Sequence, residues 1–375
     1  MKKRFILVII TISFILTTGC WGMIEINQRI FPYSIGVDLN DNEGEKYIIT
    51  ISYPNINAIG KNATQEDRIH IVSTVASSVF EGIEQLSTRL PYEVYFKHLK
   101  VVVFGQELAK DECAVREILD GMSRDFIINK KVRLLIAEGK AMDLLLSIPK
   151  AKRQEVIEGT LVSMLKENKG TSKFIPQSLT QFIKDTDIGG VGLMPRASIH
   201  EEDIKIFGGA IFKNYTHIGD VDEMQSRAIS LMRGKLKRDL IDAVYNGVTV
   251  SYSIDGSKIK RHLIREDGNI KIRIDIEIEG NLQEYIIRER PMVNDMEIMN
   301  KMENAINEVL ENEINSTLEV LQKQYKADAI YIGEYLYKYH PKVWKEVEND
   351  WDEIFPQIDI DVVVDSKIRR RGLVQ

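Results

Sequence analysis

IKIRIDIEIE, residues 270–279, alternates isoleucine with a charged residue at every position. Successive side chains of a strand point to opposite faces, so this stretch predicts an antiparallel strand with one face in the core and one in water. Residues 294–325 follow with apolar side chains at helical spacing and predict the longest helix. Its apolar stripe consists of Met299, Met302, Ile306, Val309, Leu310, Ile314, Leu318 and Leu321. Together these patterns predict a curved, antiparallel-rich sheet with a long helix packed across it.

The first third of the chain alternates strand and helix patterns. Continuous apolar runs at 99–104 (LKVVVF) and 132–137 (VRLLIA) are typical of strands buried on both faces. Apolar residues recur at helical spacing from Val72 to Leu90, where Pro91 ends the pattern. Residues 20–150 are therefore predicted to form an N-terminal α/β domain.

Two further domains are predicted downstream. Residues 151–203 carry a helical pattern up to Leu165, a proline at 176 suited to a first helical turn, and a glycine-rich turn at 189–193. They are predicted to form a small, mostly helical middle domain. Residues 204–375 then form the C-terminal α/β domain, which contains the long helix 294–325. The predicted fold class is α+β, or mixed α/β, in three domains.

The chain begins with a predicted secretory signal, residues 1–19. Three basic residues precede an apolar run at 5–16, and small residues lead to Cys20. The run is shorter than the roughly 20 residues of a membrane-spanning helix. The position of Cys20 is similar to that of the lipid-modified cysteine of a bacterial lipobox, although Thr17 stands where leucine is usual. An ordinary secreted protein, or an uncleaved leader with an incidental Cys20, stays an alternative.

The charge balance restricts the class of partner. The 375 residues contain 50 Lys+Arg and 56 Asp+Glu, a net charge of −6. An acidic chain is a poor general binder of nucleic acid. The same net charge argues against electrostatic adhesion to anionic lipid, so attachment to a membrane is expected to depend on an acyl anchor. Once Cys20 is acylated, Cys113 is the one remaining thiol and no internal disulfide can form.

The sequence shows no catalytic constellation. None of the six histidines pairs at metal-ligand spacing, and no nucleophile elbow or phosphate loop is present. We expect residues 200–203 (HEED) to be a solvated turn, and Cys113 to be buried packing rather than a nucleophile. The basic run 369–371 could contact lipid phosphates or an acidic partner, or simply be solvated. The prediction is a protein that is not an enzyme, with no catalytic, metal or cofactor residues.

Four segments together resemble the Ger(x)C family, the lipoprotein C subunits of spore nutrient-germinant receptors. They are GCW at 19–21 with IGVDL at 35–39, HLKVVVFGQELAK at 98–110, FGGAIFKNYTHIGDVDEMQSRAI at 207–229, and the closing segment 327–372. The closing segment is the most specific, because a helix with glycine, a proline, a tryptophan and a final strand ending in a basic-Gly terminus recur in that family in this order.

The resemblance implies three mixed α/β domains on a lipid anchor at the outer face of the spore inner membrane. It implies assembly with two membrane partners, an A subunit and a transporter-like B subunit, and a role in receptor assembly or signalling that triggers germination. Cys20 is the one residue to which the resemblance assigns a role, as the acylation site. The alternative is a solute-binding lipoprotein that delivers a small molecule to a membrane transporter.

Overall fold

The computed structural model describes residue 4 and residues 28–41, 44–55, 69–147, 160–165, 172–201, 203–266, 269–285 and 296–370. Within these ranges the chain forms a nine-stranded sheet, a four-stranded sheet and a two-stranded ribbon, with helices on both larger sheets. This mixed α+β architecture confirms the predicted fold class. Cys20, and all of the predicted signal except residue 4, lie outside the described residues.

The described strands and helices are numbered in chain order. The strands are β1 (Arg29–Ile30), β2 (Ser34–Leu39), β3 (Tyr47–Pro54), β4 (Ile69–Ala76), β5 (Glu93–Val94), β6 (Val101–Phe104), β7 (Arg133–Ala137), β8 (Gln177–Ser178), β9 (Val191–His200), β10 (Asp203–Lys213), β11 (Thr216–Val221), β12 (Asp239–Tyr245), β13 (Val248–Glu266), β14 (Asn269–Tyr285) and β15 (Asp359–Arg370). The α-helices are α1 (Val79–Ser87), α2 (Glu112–Arg124), α3 (Ala141–Ser147), α4 (Thr160–Met164), α5 (Leu179–Gly189), α6 (Glu223–Met232), α7 (Met296–Glu319), α8 (Ile332–Tyr339), α9 (Pro341–Val347) and α10 (Trp351–Ile354).

The large sheet has the strand order β11-β10-β9-β7-β6-β2-β3-β4, and β8 pairs with β7. At its centre β2, β6 and β7 are parallel. The predicted two-sided burial of β6 is confirmed, because all four of its residues are buried. Val102 and Phe104 belong to the core under α2, whereas Val101 and Val103 belong to the core on the opposite face. Apolar side chains on both faces explain why this strand shows no alternation.

The predicted helix from Val72 to Leu90 is wrong in its first half. Residues 69–76 form strand β4, and helix α1 begins only at Val79. Isoleucine, valine and threonine dominate β4, and these β-branched side chains favour an extended chain. Ser78 then starts the helix, since its side chain accepts a hydrogen bond from the backbone N–H of Glu81.

Residues 191–200 form a ten-residue strand, β9, and not part of a mostly helical segment as the sequence suggested. The first half of β9 is buried throughout, so apolar and polar residues do not alternate there. Its glycine and proline, which are rare in strands, weaken the strand pattern further. Pro195 lies opposite an irregularity in the pairing with β10, between Phe207 and Ala210, where a missing N–H is tolerated. The division of the chain into three domains stays a prediction, and the large sheet contains strands from both sides of residue 203.

The four-stranded sheet has the order β12-β13-β14-β15. Ile272, Ile274, Ile276 and Ile278 of β14 are all buried, as the alternating pattern predicts. β14 is antiparallel to β13 and parallel to β15, so the antiparallel prediction holds on one side only. Helix α7, which continues into a π-helical turn over Val320–Gln324, packs against both edge strands, β12 and β15. The sheet therefore curves around the helix.

Helix α7 also seals the open edge of β15. Side chains at three helix positions, each four residues from the next, accept backbone N–H groups from three strand positions, each two residues from the next. The two spacings match, since four residues of helix and two of strand each span roughly 6–7 Å. The three bonds join Glu311 Oε1 to Val364 N, Asn307 Oδ1 to Ser366 N, and Glu303 Oε1 to Ile368 N, each at 2.9 Å.

Candidate functional site

The large sheet contacts a second unit, which consists of the four-stranded sheet, α7 and the helices that follow it up to α10. We call the polar part of this contact the seam. Most of its interactions are hydrogen bonds or ion pairs between charged or hydroxyl groups. The seam consists of Lys184, Asp185, Lys213, Gly219 and Asp220 on the large-sheet side, and Tyr325, Lys326, Tyr331, Glu334 and Asp352 on the other.

Asp185 is the buried centre of the seam, only 4% exposed. It lies on α5 and accepts a hydrogen bond from the Tyr331 hydroxyl at 2.5 Å. Gln177 Nε2 and Gln181 Nε2 donate to the same carboxylate at 2.8 and 2.6 Å. The Arg233 guanidinium lies 3.9 Å from the centre of the Tyr331 ring. Burial first, and then the Asp185 carboxylate, raise the pKa of Tyr331, so the hydroxyl stays protonated and donates.

Tyr325 ties the end of α7 to strand β11. Its hydroxyl donates to the Asp220 carbonyl at 2.7 Å and accepts from the Asp220 N–H at 3.1 Å. The neighbouring Gly219 makes this approach possible, because a Cβ there would lie 2.1 Å from a ring carbon of Tyr325. No other amino acid fits at this position without displacing the ring.

Charged bonds complete the seam at its rim. Lys184 Nζ on α5 lies 3.0 Å from Glu334 Oε1 on α8. Lys213 Nζ donates to the Lys326 carbonyl and pairs with Asp352, both at 2.9 Å. These bonds lie beside an apolar core that both units share, in which Leu193 and Ile211 of the large sheet belong to one cluster with Ile330.

Asp328 and Arg227 are two further buried ionisable groups, and each stabilises local structure. Asp328 caps α8 by accepting the N–H groups of Ile332 and Gly333 at 3.0 and 2.6 Å. Burial raises the pKa of Asp328, and the two backbone bonds oppose that rise. Arg227 on α6 forms a two-point pair with Glu313 on α7, at 3.0 Å from Nε and 2.5 Å from Nη2. Because these side chains are bonded within the fold, they are poor candidates for a reactive group.

A cleft of about 880 Å³ opens beside the seam, between β7–β8 and the segment that joins α6 to β12. Arg133, Lys235, Lys237 and Arg238 line it, with Asp255 as an acidic neighbour. Its volume lies in the range of small-molecule sites, and its cationic lining suits an anionic group. The sequence analysis did not find this cleft, because Arg133 on β7 is far along the chain from the basic run 235–238.

The structure places the residues singled out from sequence as follows. Cys113 is exposed, so the expectation of buried packing is wrong. It lies in the first turn of α2, whose inward face begins with Ala114 and Val115. The solvated turn is confirmed at the described residues His200, Glu201 and Asp203, which are all exposed.

The basic terminal run is only partly described. Arg369 Nη2 pairs with Glu279 on the adjacent strand at 2.6 Å, and Arg371 lies outside the described residues. Met302 is buried against the four-stranded sheet, in agreement with its position in the predicted stripe. Cys20, the predicted acylation site, lies outside the described part of the chain.

Across the described residues, no group of three or more His, Cys, Asp or Glu side chains is placed to hold a metal ion. Nor does the described part of the chain contain a helix of the length and apolar character needed to span a membrane.

Sequence reasoning missed the seam itself. Asp185 and Tyr331 are separated by 146 positions, and neither stands in a recognisable motif. The one local signal was the repeated glycine in residues 207–229, where Gly219 admits the Tyr325 ring.

Two family models match nearly the whole chain. The model described as "Spore germination protein N-terminal domain" matches residues 22–199, and the model described as "Spore germination B3/ GerAC like, C-terminal" matches residues 207–372. The boundary between them falls close to the turn between β9 and β10.

Individual relatives span the full length as well. Spore germination protein B3 of Bacillus subtilis (strain 168) is 22% identical over 363 residues, which is 95% of each chain. Spore germination protein YndF of the same strain is 26% identical over 398 residues, 98% of this chain and 97% of the other. Among solved structures, the GerBC protein superposes with a TM-score of 0.62 at 19% identity, over 90% of this chain and 97% of that one. That similarity shows a shared fold.

Proposed function

This chain belongs to the spore germination B3/GerAC-like family and has a germination-related role, and we propose that it is a non-enzymatic lipoprotein subunit of a spore nutrient germinant receptor. In this role it is required for the receptor assembly or signalling that triggers germination. The observation that carries the proposal is the extent of the family match, which includes both units joined by the seam. A shared fold alone would be weaker support, since one fold serves many functions.

The chemistry of the described residues supports a non-enzymatic role. Catalytic carboxyls are usually set in a cleft with a shifted pKa and an open position for substrate. Asp185 and Asp328 are buried, but each is bonded to side chains or backbone of the fold. Their surroundings serve to fix the seam and the start of α8.

The proposed attachment is through Cys20, acylated after removal of residues 1–19. Each buried methylene contributes about 0.8 kcal/mol, so two or more acyl chains hold a protein stably on a bilayer. We place the protein on the outer face of the spore inner membrane, with an A subunit and a transporter-like B subunit as partners. Support for this placement comes from the leader, the position of the thiol, and the family.

A pull-down from spores tests the proposal. The full-length tagged protein, extracted from spore membranes, is expected to bring down one A-type and one B-type membrane subunit. Cys20→Ala is expected to detach the protein from the membrane fraction and to lose both partners. Cys113→Ala is the matched control, because it removes the other thiol at an exposed position and should behave as wild type. A wild-type protein that comes down alone, or with an ATP-driven transporter, would overturn the receptor assignment.

The cleft beside the seam favours a second candidate, a solute-binding lipoprotein that delivers a small molecule to a transporter. Its cationic lining and volume suit a small carboxylate or phosphate. Calorimetric titration of the detergent-solubilised full chain with amino acids and with inorganic phosphate tests this function. Tight binding that Lys237→Ala/Arg238→Ala abolishes would support it, and the absence of binding would reject it.

A further inference from the structure

The amino-terminal ends of the parallel strands form one border of the large sheet. Ser34 of β2, Val101 of β6 and Arg133 of β7 lie side by side in register. The segments that lead into these strands therefore gather at the same border. We call this border the basal edge and define it as residues 28–33, 89–100 and 124–132.

Backbone bonds hold the three segments of the basal edge together. The N–H of Lys100 donates to the Tyr33 carbonyl at 2.9 Å, and the N–H of Arg133 donates to the Lys100 carbonyl at 2.8 Å. The Tyr95 N–H donates to the Ile30 carbonyl at 2.8 Å. The basal edge is thus an ordered surface of the fold.

Phe126 projects from the basal edge and is 93% exposed. The loop that presents it is fixed on both sides. Ile128 is buried in the core, and the Ile127 N–H donates to Asp125 Oδ1 at 2.6 Å. Lys130 Nζ donates to the Met122 carbonyl at 3.0 Å and also to the Asp125 carbonyl. A rigid loop that holds a phenylalanine ring out of the core provides an apolar point for insertion.

Charge around Phe126 is locally basic although the whole chain is acidic. The exposed cations of the basal edge are Arg89, Lys97, Arg124 and Lys131. Glu93 is an exposed acid there, and Arg124 is paired with Asp120 on its own helix at 2.9 Å. Tyr92, 44% exposed, adds a second aromatic ring in the segment that follows α1. Aromatic rings among lysines and arginines are typical of the membrane–water interface. The net charge of −6 concealed this local arrangement.

The path of the chain brings this same border toward the proposed anchor. The described chain resumes at Gln28, and β1 immediately pairs with β5 within the basal edge. Eight residues separate Cys20 from Gln28, which limits their separation to about 28 Å when fully extended. An anchor at Cys20 therefore keeps the basal edge close to the bilayer. Cys113 lies at the start of α2, beyond the carboxyl end of β6, on the opposite border.

We propose that the basal edge is the membrane-facing surface, with Phe126 inserted into the interface of an anionic bilayer and the surrounding cations on headgroup phosphates. This inference rests on the proposed function in one respect, the acylation of Cys20. It adds an orientation: the opposite border, with Cys113, points away from the lipid.

Nitroxide depth measurements on the acylated full chain test the orientation. Phe126→Cys is labelled in a Cys113→Ser background, and the matched control carries the label on native Cys113. Both are reconstituted in vesicles of phosphatidylglycerol and phosphatidylethanolamine, without other proteins. At position 126 we expect collisions with dissolved oxygen to exceed those with a water-soluble nickel chelate. At position 113 we expect the reverse. Equal access of the chelate to both labels would overturn the proposal.

A charge-reversal variant tests the role of the cations. Lys97→Glu/Lys131→Glu is expected to raise chelate access to the label at position 126 severalfold while the acyl chains keep the protein on the vesicle. Unchanged access would overturn the part assigned to these lysines. The vesicles contain no receptor partners, so failure here leaves the receptor function standing. Conversely, the depth measurement could show the label at position 126 in the bilayer while the pull-down recovers no A or B subunit. That result would overturn the receptor function alone.

Discussion

The Tyr331 hydroxyl donates a 2.5 Å hydrogen bond to Asp185 Oδ2 and so joins α5 of the large sheet to the segment that precedes α8. Tyr331 adopts a left-handed backbone conformation with φ of 64°, which is uncommon outside glycine, asparagine and aspartate. Its ring also lies against the Arg233 guanidinium. One side chain therefore couples the two halves of the family match.

Removal of the Tyr331 hydroxyl should weaken the whole fold. Tyr331→Phe keeps the ring and takes one donor from a buried carboxylate, so we expect a loss of about 1–3 kcal/mol in the free energy of unfolding. Urea denaturation measures this loss. Tyr337→Phe is the control, since Tyr337 is 54% exposed, and should change stability by less than about 0.5 kcal/mol. Equal effects of the two variants would show that the bond to Asp185 contributes nothing.

A methyl group at position 219 should force the seam apart. In Gly219→Ala the new Cβ would lie 2.1 Å from the Tyr325 ring, and overpacking of this kind costs about 1–3 kcal/mol. Gly189→Ala, whose Cβ would meet nothing within 4 Å, is the matched control and should be near neutral. In a double-mutant cycle, Tyr325→Ala should make the Gly219→Ala change less costly. Strict additivity would contradict the proposed clash.

The acidic residues of α7 should protect the edge of β15. Glu303→Ala leaves the Ile368 N–H without its 2.9 Å acceptor, which should cost about 1–3 kcal/mol. Glu308→Ala, at an exposed position on the same helix, should cost less than about 0.5 kcal/mol. Replacing Glu303, Asn307 and Glu311 together should expose a strand edge and promote self-association, which light scattering detects. A triple variant that stays monomeric at high concentration would refute the sealing role.

Acid should loosen the seam through Glu334. Burial by itself would raise the pKa of this carboxyl, but hydrogen bonds from Lys338 and Lys184 bring it below its ordinary value. Since the folded pKa lies below the unfolded one, ionised Glu334 stabilises the fold above the unfolded value of about 4.3, and this stabilisation is lost as the pH falls through the folded pKa. Thermal midpoints of wild type and Glu334→Gln should therefore differ at pH 7 and converge as the pH falls through the lowered folded pKa of Glu334.

Glu346→Gln serves as the control for that titration. Glu346 pairs with Arg265 at the surface, away from the seam. Its substitution should leave the midpoint nearly unchanged at every pH, because exposed ion pairs contribute little. A difference between wild type and Glu334→Gln that does not vary with pH would rule out an electrostatic role for Glu334.

Local patterns predicted the elements in which buried and exposed positions recur at a regular spacing along the chain. The alternation in β14 identified which face is buried, and the stripe on α7 identified the face that meets the sheet. The continuous apolar run of β6 also identified a strand buried on both faces. In β9, where a glycine and a proline interrupt a buried strand, the same reasoning failed. The exposure of Cys113 was missed because its burial was predicted from its neighbours Ala114 and Val115. The full buried stripe of α2, which continues through Ile118, Leu119 and Met122, leaves Cys113 on the opposite face.

Neighbouring residues alone specify the half-buried strand, the long amphipathic helix and the family, whereas the leader and the role of Cys20 stay predictions. The spacing of neighbouring residues sets which side chains of the strand and of the helix share a face. Four features come from contacts in the folded chain: the bond between Tyr331 and Asp185, the close approach of Tyr325 to Gly219, the sealed edge of β15, and the basic border around Phe126. These features join residues that are distant along the chain, so they arise only when strand order and helix packing bring those residues into contact.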